Sequence, residues 1–244
     1  MIDPRLYVVN ERLSRVGTIL AVASGKGGVG KTLISSALAL ALRDLGLKVG
    51  LLDLDVNCPN CHIILGVKEG LPKEERGILP IEVNGLSFLS VYPFVGRRAL
   101  PLRGGEKVSA ITEMLAVTKW PKLNYLIMDL PPGTDDELLE VIKSIDNVNF
   151  LVVTTPSQLS FESVTRLVGI LKERKARIKG LIGNMVKSVE EMRRVEGFAY
   201  ELGVELIATI SYDLYIEQAL GNLTTFKSTN FFKEVLKLAR KLKP

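Results

Sequence analysis

The feature that most constrains the fold is a glycine-rich segment at residues 24–32, which reads SGKGGVGKT. An apolar, β-prone run at residues 18–23 precedes it, and a pattern with helical spacing at residues 33–45 follows it. Strand, glycine loop and helix are the context in which the motif G-x-x-x-x-G-K-[ST] binds phosphate. The segment therefore predicts a phosphate-binding loop between a buried strand and a helix.

The residue types in this loop suit a bound nucleotide. Glycines let the backbone curl so that successive N–H groups face phosphate oxygens, and the following helix adds unpaired N–H groups and its positive dipole end. We expect the Lys31 ammonium to contact the β- and γ-phosphates and the Thr32 hydroxyl to ligate Mg²⁺. The residues expected to bind the nucleotide here are Gly25, Lys26, Gly27, Gly28, Val29, Gly30, Lys31 and Thr32.

Strand-like and helical patterns alternate along the rest of the chain. Apolar runs lie at residues 49–53, 78–83, 86–91, 125–129, 148–154, 178–184 and 205–210, and helical patterns at 107–117, 135–145, 160–172, 189–202 and 230–242. The Asn84-Gly85 pair predicts a hairpin turn. This alternation predicts an α/β fold with a doubly wound, mostly parallel sheet and helices on both faces. Because no composition shift marks a linker, we expect residues 1–244 to form one domain.

Acidic residues follow two of the apolar runs. Asp53 ends one run, Asp55 lies two residues further on, and Asp129 ends another run just before a Pro-Pro-Gly-Thr turn. Ligands of parallel sheets bind at the carboxyl ends of strands, so these acids should lie near the phosphate loop. We expect Asp53 and Asp129 to join Thr32 at Mg²⁺. Lys31, Asp55 and Asp129 are then the catalytic candidates, with one acid orienting the attacking water.

The octet GKGGVGKT resembles the deviant phosphate loop of the MinD, ParA, Mrp and nitrogenase-iron-protein ATPases. Similarity to the Mrp branch extends in order over residues 17–220, at positions 53–66, 102–105, 120, 124–134, 153–157, 182–185 and 208–219. In that family, a lysine at the position of Lys26 crosses a dimer interface to the partner's nucleotide and serves catalysis. An asparagine at the position of Asn184 recognises adenine. The resemblance implies a homodimeric ATPase that uses ATP and Mg²⁺ and carries iron–sulfur clusters to an apo client protein.

Cysteine marks the main departure from that branch. The Mrp branch usually bears a C-x-x-C after the asparagine, whereas this chain has only Cys58 and Cys61, in the sequence CPNCH. Two cysteines cannot fill a four-ligand set, so one interpretation is a [4Fe–4S] or zinc site shared by two subunits. Others are a disulfide or redox pair and two ordinary buried residues. The c-type haem pattern C-x-x-C-H also matches but requires export. His62, the only histidine, is expected to be a loop residue or an extra ligand.

Charge and hydropathy define the expected surroundings of the protein. The net charge is only +5, no apolar run approaches the ~20 residues of a membrane span, and the N-terminus lacks the layout of a signal peptide. We therefore expect a cytoplasmic protein without a nucleic-acid or membrane partner. Arg97, Arg98 and Arg103 are expected either to contact a partner or to lie in a solvated loop.

The alternative function is a MinD- or ParA-like positioning ATPase that switches on a membrane or nucleoid surface. The basic, amphipathic pattern at residues 231–242 favours it, because such a helix can grip a membrane. The pattern follows the last strand closely, as a helix that packs on the core would. We expect core packing for this segment.

Overall fold

The computed structural model describes residues 3–67, 71–95 and 102–243. The strands in these ranges are β1 (Val16–Ser24), β2 (Val49–Asp53), β3 (Lys73–Glu74), β4 (Ile78–Leu79), β5 (Ile81–Val83), β6 (Leu86–Ser90), β7 (Leu123–Asp129), β8 (Val148–Thr154), β9 (Arg177–Val186) and β10 (Leu206–Ser211). The helices are α1 (Arg5–Leu13), α2 (Lys31–Asp44), α3 (Cys61–Leu65), α4 (Tyr92–Val95), α5 (Gly104–Val117), α6 (Asp136–Ser144), α7 (Gln158–Glu173), α8 (Val189–Leu202), α9 (Leu223–Ser228) and α10 (Asn230–Leu242), with a 3₁₀ turn at Glu217–Ala219.

Eight strands form one sheet in the order β10-β9-β8-β1-β7-β2-β6-β5. Every neighbouring pair is parallel except β5 and β6, which form an antiparallel hairpin. Asn84 and Gly85 make its turn with φ values of 51° and 74°, as the sequence predicts. The expected strand at residues 78–83 is instead divided into β4 and β5, because Pro80 has no N–H to donate to a ladder.

Two apolar layers cover the two faces of the sheet. Side chains alternate along β1: Ile19 and Ala21 belong to one layer, and Leu20 and Val22 to the other. Buried residues of α1, α5, α6, α7 and α8 complete the first layer, and those of α2, α3, α9 and α10 complete the second. The predicted doubly wound architecture is therefore confirmed.

The C-terminal helix α10 packs on the second layer. Its buried side chains are Phe231, Phe232, Val235, Leu238 and Ala239, and it lies against α2 and β10. The Tyr125 hydroxyl donates to the carbonyl oxygen of Leu242 at 2.6 Å, which fixes the end of the helix to the sheet. The expected core packing of this segment is confirmed. No helix in the described ranges has both the length and the apolar composition needed to cross a bilayer.

Four helices of the described ranges have no counterpart in the predictions: α1, α3, α4 and α9. Both α3, with five residues, and α9, with six, are too short to show a helical period. Helix α3 matters most, because it contains Cys61 and His62. The prediction that His62 lies in a loop is therefore wrong. Gly66, with φ of 69°, ends this helix in the left-handed conformation.

Candidate nucleotide-binding site

The glycine loop joins β1 to α2 with a backbone that needs glycine at particular points. Gly28 and Gly30 have φ values of 78° and 82°, and Gly30 is the N-cap of α2. A Cβ on Gly30 would lie 2.3 Å from Nδ2 of Asn184, and one on Gly25 would lie 2.3 Å from the carbonyl oxygen of Ser163 in α7. The loop is therefore packed against neighbouring elements, which hold its curled backbone in place.

Asp129 lies beside this loop and collects three donors. It ends β7, the neighbour of β1, opposite Val22. The Lys31 ammonium and the Ser35 hydroxyl each donate to Oδ1 at 2.7 Å. The Thr32 hydroxyl donates to Oδ2, also at 2.7 Å. Asp129 is 0% exposed and Lys31 is 6% exposed, so this is a buried ion pair whose remaining oxygen sites are satisfied by hydroxyl groups.

Asp53 lies opposite Asp129 in the next strand of the sheet, β2. Its carboxyl group accepts the N–H of Cys61 at 3.1 Å and the N–H of Asp55 at 3.2 Å. The Ser90 hydroxyl, at the end of β6, donates to it at 3.5 Å. Burial, and next the charge of Asp129, raises the pKa of Asp53 to about 8. Its carboxyl group therefore holds a proton at neutral pH in this conformation.

Asp55, two residues after the end of β2, is more accessible than Asp53. It is half-buried, and its carboxylate accepts the N–H of Cys58 at 3.1 Å. Burial raises the pKa of this side chain above its ordinary value. Asp55 therefore holds the loop that leads to α3 and stays accessible to a ligand of the glycine loop.

The two cysteines occupy different environments. Both are free thiols; Cys58 is exposed and Cys61 is fully buried. The Cys61 sulfur lies 3.8 Å from Oδ2 of Asp129. Burial, followed by the charges of Asp53 and Asp129, raises the pKa of this thiol well above its ordinary value. The structure does not show the predicted disulfide alternative, and it does not bring both sulfurs to the surface where a second subunit could share them.

The His62 side chain packs against an aromatic ring. Its ring is buried and stacks on the ring of Tyr92, with centroids 3.5 Å apart and an interplanar angle of 12°. Burial lowers the pKa of the imidazole. These contacts favour a packing role for His62.

The structure also places the remaining predicted site residues. Lys26 is half-buried and forms no salt bridge within the described ranges. Asn184 is buried, and its Nδ2 donates to the carbonyl oxygen of Val29 in the loop at 2.8 Å; its contact with adenine stays a prediction. Arg103 is the N-cap of α5, whereas Arg97 and Arg98 lie outside the described residues.

A family model described as ParA: NUBPL iron-transfer P-loop NTPase matches residues 15–237, a range that contains the loop and all three acids. The chain belongs to this NUBPL-type family. The match confirms the family resemblance seen in the sequence.

Named relatives match most of the chain. The iron-sulfur cluster carrier protein of Methanocaldococcus jannaschii is 33% identical over 94% of this chain and 86% of that protein. The carrier protein of the same name from Aquifex aeolicus is 35% identical over 83% of this chain, which spans only 60% of that protein. The cytosolic Fe-S cluster assembly factor Nubp2 homolog 2 of Drosophila yakuba is 36% identical over 71% of this chain and 70% of that protein.

Solved structures show the same fold. A nucleotide-binding protein from Archaeoglobus fulgidus, in complex with ADP, superposes with a TM-score of 0.76 and 26% identity over 91% of this chain and 93% of that one. The cell division protein MinD of Aquifex aeolicus superposes with a TM-score of 0.66 and 22% identity over 92% of this chain and 96% of that one. The MinD-like fold predicted for the chain is confirmed.

Several polar residues of this NUBPL-type site were not found from the sequence. Ser35 lies one helical turn after Lys31 and so reaches the same carboxylate. Ser90 reaches Asp53 because β6 is the neighbour of β2. The backbone N–H of Gly133 donates to the carbonyl oxygen of Ser24 at 2.9 Å, which ties the Pro-Pro-Gly turn to the loop. Only the i, i+4 spacing of Lys31 and Ser35 was a usable signal, since the other two contacts depend on strand order.

Proposed function

We propose that this chain is a Mg²⁺-dependent ATPase that works as a homodimer and carries or assembles iron–sulfur clusters. The observation that supports the ATPase most strongly is the convergence of Lys31, Thr32 and Ser35 on the buried carboxylate of Asp129, beside the glycine loop. Membership of an iron-transfer family supports the carrier role. The names of the Aquifex, Methanocaldococcus and Drosophila relatives support it as well.

In the proposed reaction, the chain's own residues bind and orient the triphosphate. N–H groups of the glycine loop and of the first turn of α2 donate to phosphate oxygens. The Lys31 ammonium, positioned by Asp129, neutralises charge that builds up on the transferred phosphoryl group. Asp55, half-buried after β2, accepts a proton or hydrogen bond from the attacking water and so orients it.

The donor set beside the loop fits Mg²⁺. Thr32, Asp53 and Asp129 offer a hydroxyl and two carboxyl groups, and Mg²⁺ prefers oxygen ligands of this kind. The Thr32 and Asp129 oxygens already lie 2.7 Å apart. When bound there, the ion would neutralise charge on the phosphate oxygens.

Lys26 is proposed to act on the partner subunit's nucleotide. Its side chain forms no salt bridge within the described part of the chain, so it is free to contact an anion. The family resemblance assigns this in-trans role to a lysine at its position. We also propose that Asn184 recognises adenine, since it lies against the loop at Val29.

The iron–sulfur cluster is the proposed cargo, and the Cys58–Cys61 pair of two subunits is the proposed place that holds it. Four thiolates from two chains would complete a [4Fe–4S] ligand set. Cys61 is buried in this conformation, so α3 must move to bring both sulfurs to the dimer interface. An apo iron–sulfur protein is the proposed recipient.

We further propose that residues 1–244 form one ATPase domain that works in the cytoplasm. One eight-stranded sheet includes strands from both ends of the described chain, which favours a single domain. The Drosophila relatives are named as cytosolic factors, which favours the cytoplasm.

The alternative positioning function has less support. It depended on an amphipathic terminal helix that could bind a membrane, and the apolar face of α10 is buried against the sheet and α2. The lack of a cysteine pair after Asn184 still favours that function, but the iron-transfer family and the names of the relatives support cluster transfer.

Cluster transfer tests the proposal directly. The protein is reconstituted anaerobically with iron and sulfide, and transfer to an apo acceptor that needs a [4Fe–4S] cluster is followed with and without ATP. We expect about four iron atoms per dimer, transfer that depends on Mg²⁺ and ATP, and loss of the nucleotide effect in Lys31→Ala. A wild-type protein that takes up no cluster, or whose transfer ignores ATP, would contradict the proposal.

A further inference from the structure

Three potential metal ligands converge at one buried point behind the phosphate loop. Asp53, Cys61 and Asp129 come from β2, α3 and β7, and each is 0% exposed. One ligand atom from each lies within 4.8 Å of the other two. Convergence of three donors from three separate elements requires the folded sheet and cannot result from neighbouring sequence positions.

The spacing of these atoms suits a small divalent ion. With metal–sulfur and metal–oxygen distances of about 2.3 Å and 2.1 Å in tetrahedral geometry, sulfur and oxygen ligands lie about 3.6 Å apart. The Cys61 sulfur is 3.8 Å from Oδ2 of Asp129. Small shifts would therefore suffice for both atoms to bind the same ion.

Two further observations favour a cation here. Among the described residues, the two aspartates face one buried ammonium, Lys31, which lies on Oδ1 of Asp129, while Oδ2 faces the Thr32 hydroxyl and the Cys61 sulfur. In addition, the Ser36 hydroxyl is fully buried and forms no hydrogen bond within the described residues. It lies beside the Cys61 thiol. A buried hydroxyl beside a ligand sulfur is the outer-shell donor that supports metal-bound thiolates.

We propose that Asp53, Cys61 and Asp129 bind a thiophilic first-row divalent ion, such as Zn²⁺, Co²⁺ or Fe²⁺, within one subunit. Three protein ligands leave a fourth position for water or a phosphate oxygen. The ion would use the same Asp53 and Asp129 carboxyl groups that the proposed Mg²⁺ uses, so its binding links thiophilic-metal occupancy to nucleotide hydrolysis. The metal site itself needs neither ATP hydrolysis nor cluster transfer.

The test uses Co²⁺ as the probe, because thiolate ligation gives a sulfur-to-cobalt charge-transfer band in the near ultraviolet. The full chain is titrated anaerobically without nucleotide or Mg²⁺. We expect one Co²⁺ per chain with this band, loss of the band in Cys61→Ser, and its retention in the matched control Cys58→Ser. Ser36→Ala should keep the band and weaken Co²⁺ affinity by about 10- to 100-fold.

The Asp53→Asn variant distinguishes this site from a site formed by the cysteine pairs of two subunits. It also keeps the proposal testable if the Cys61 variant fails to fold. It retains both thiols, and we expect Co²⁺ affinity at least tenfold below that of the wild type. Unchanged affinity in Asp53→Asn would overturn the proposal. So would the absence of a charge-transfer band in the wild type. A band that needs both cysteines, with one Co²⁺ per two chains, would assign the metal to the shared site and also overturn it.

Discussion

The cleft between the glycine loop and α3 has a carboxyl group on each side, Asp129 on the loop side and Asp53 on the α3 side, and the two lie in opposite electrostatic environments. On the loop side, Asp129 accepts from the Lys31 ammonium and two hydroxyl groups, all at 2.7 Å. On the α3 side, Asp53 has backbone N–H groups and one distant hydroxyl, and burial raises its pKa to about 8. Both carboxyl groups are fully buried and pair in register on adjacent strands.

This difference shows that burial alone does not set the behaviour of a buried acid. Asp129 pairs with the Lys31 ammonium, whereas Asp53 forms no salt bridge within the described residues and burial raises its pKa to about 8. The loop side is thus organised for phosphate before any ligand binds. The α3 side can change its charge when a metal ion or nucleotide enters.

Lys31→Ala should have the largest effect, because it removes the ammonium that distinguishes the surroundings of Asp129 from those of Asp53. Hydrolysis should be abolished because the lysine neutralises charge on the transferred phosphoryl group. Asp129 would also lose its cation, which destabilises a protein by about 3–5 kcal/mol at a buried pair. Steady-state phosphate release and urea unfolding measure the two effects. The exposed Lys48→Ala is the control, and normal turnover in Lys31→Ala would exclude the assigned role.

Lys26→Ala should fold and bind ATP but hydrolyse it poorly. A cation supplied in trans typically contributes about 10³- to 10⁵-fold to turnover. Because a mixed dimer can contain one intact site, mixing Lys26→Ala with Asp55→Ala should restore part of the activity. Turnover is measured over a range of mixing ratios. Absence of rescue at every ratio would show that Lys26 acts within its own subunit.

Asp53→Asn should become more stable relative to the wild type as the pH rises. The folded-state pKa of about 8 lies above the ordinary value of 3.8, so the folded protein holds this proton more tightly than the unfolded chain. The wild type has this stabilisation in full below pH ~4 and loses it as the pH rises through about 8; the asparagine variant has no proton to lose.

Thermal unfolding at pH 5 and pH 9 measures this difference. The melting temperature of Asp53→Asn, taken relative to the wild type, should be higher at pH 9 than at pH 5. The exposed Asp146→Asn is the matched control and should show no such change. An equal difference at both pH values for Asp53→Asn would mean that Asp53 is ionised in the folded protein.

Ser35→Ala and Ser90→Ala sharpen the comparison with the smallest expected effects. The Ser35 hydroxyl donates at 2.7 Å to the Asp129 carboxylate, which also pairs with Lys31, and a hydrogen bond to a charged group is worth about 1.5–3 kcal/mol. The Ser90 hydroxyl donates to Asp53 at 3.5 Å and accepts the N–H of Tyr92 at 3.2 Å, so its loss should cost about 1 kcal/mol, less than the loss of the Ser35 hydroxyl. Urea unfolding of both variants checks the order. A larger loss of unfolding free energy in Ser90→Ala than in Ser35→Ala would contradict the environments assigned to Asp53 and Asp129.

The sequence was sufficient to predict the helices and strands whose first and last residues are marked by clear signals. Helix α8 runs from Val189 to Leu202 as predicted, because Ser188 caps its start and Gly203, with φ of 60°, ends it. Strand β8 and helix α10 also have the predicted bounds. The phosphate loop was recognisable because its chemistry depends on consecutive residues.

The α3 side of the cleft was not predictable in the same way. A helix of five residues has no periodic signal, and nothing in the sequence CPNCH distinguishes the exposed Cys58 from the buried Cys61. The raised pKa of Asp53 depends on the pairing of β2 with β7, which places Asp129 beside it. These properties arise from contacts between distant segments, so they follow only from the fold.

Hydrogen–deuterium exchange with and without Mg²⁺ and a non-hydrolysable ATP analogue tests the central claim most directly. The claim is that the glycine loop and Asp129 form the nucleotide site. We predict strong protection at residues 24–36 and 125–134, weaker protection at 53–66, and none at residues 14–18, which include the start of β1, at the end of that strand away from the glycine loop. Unchanged exchange at residues 24–36, under conditions where the nucleotide binds, would contradict the account.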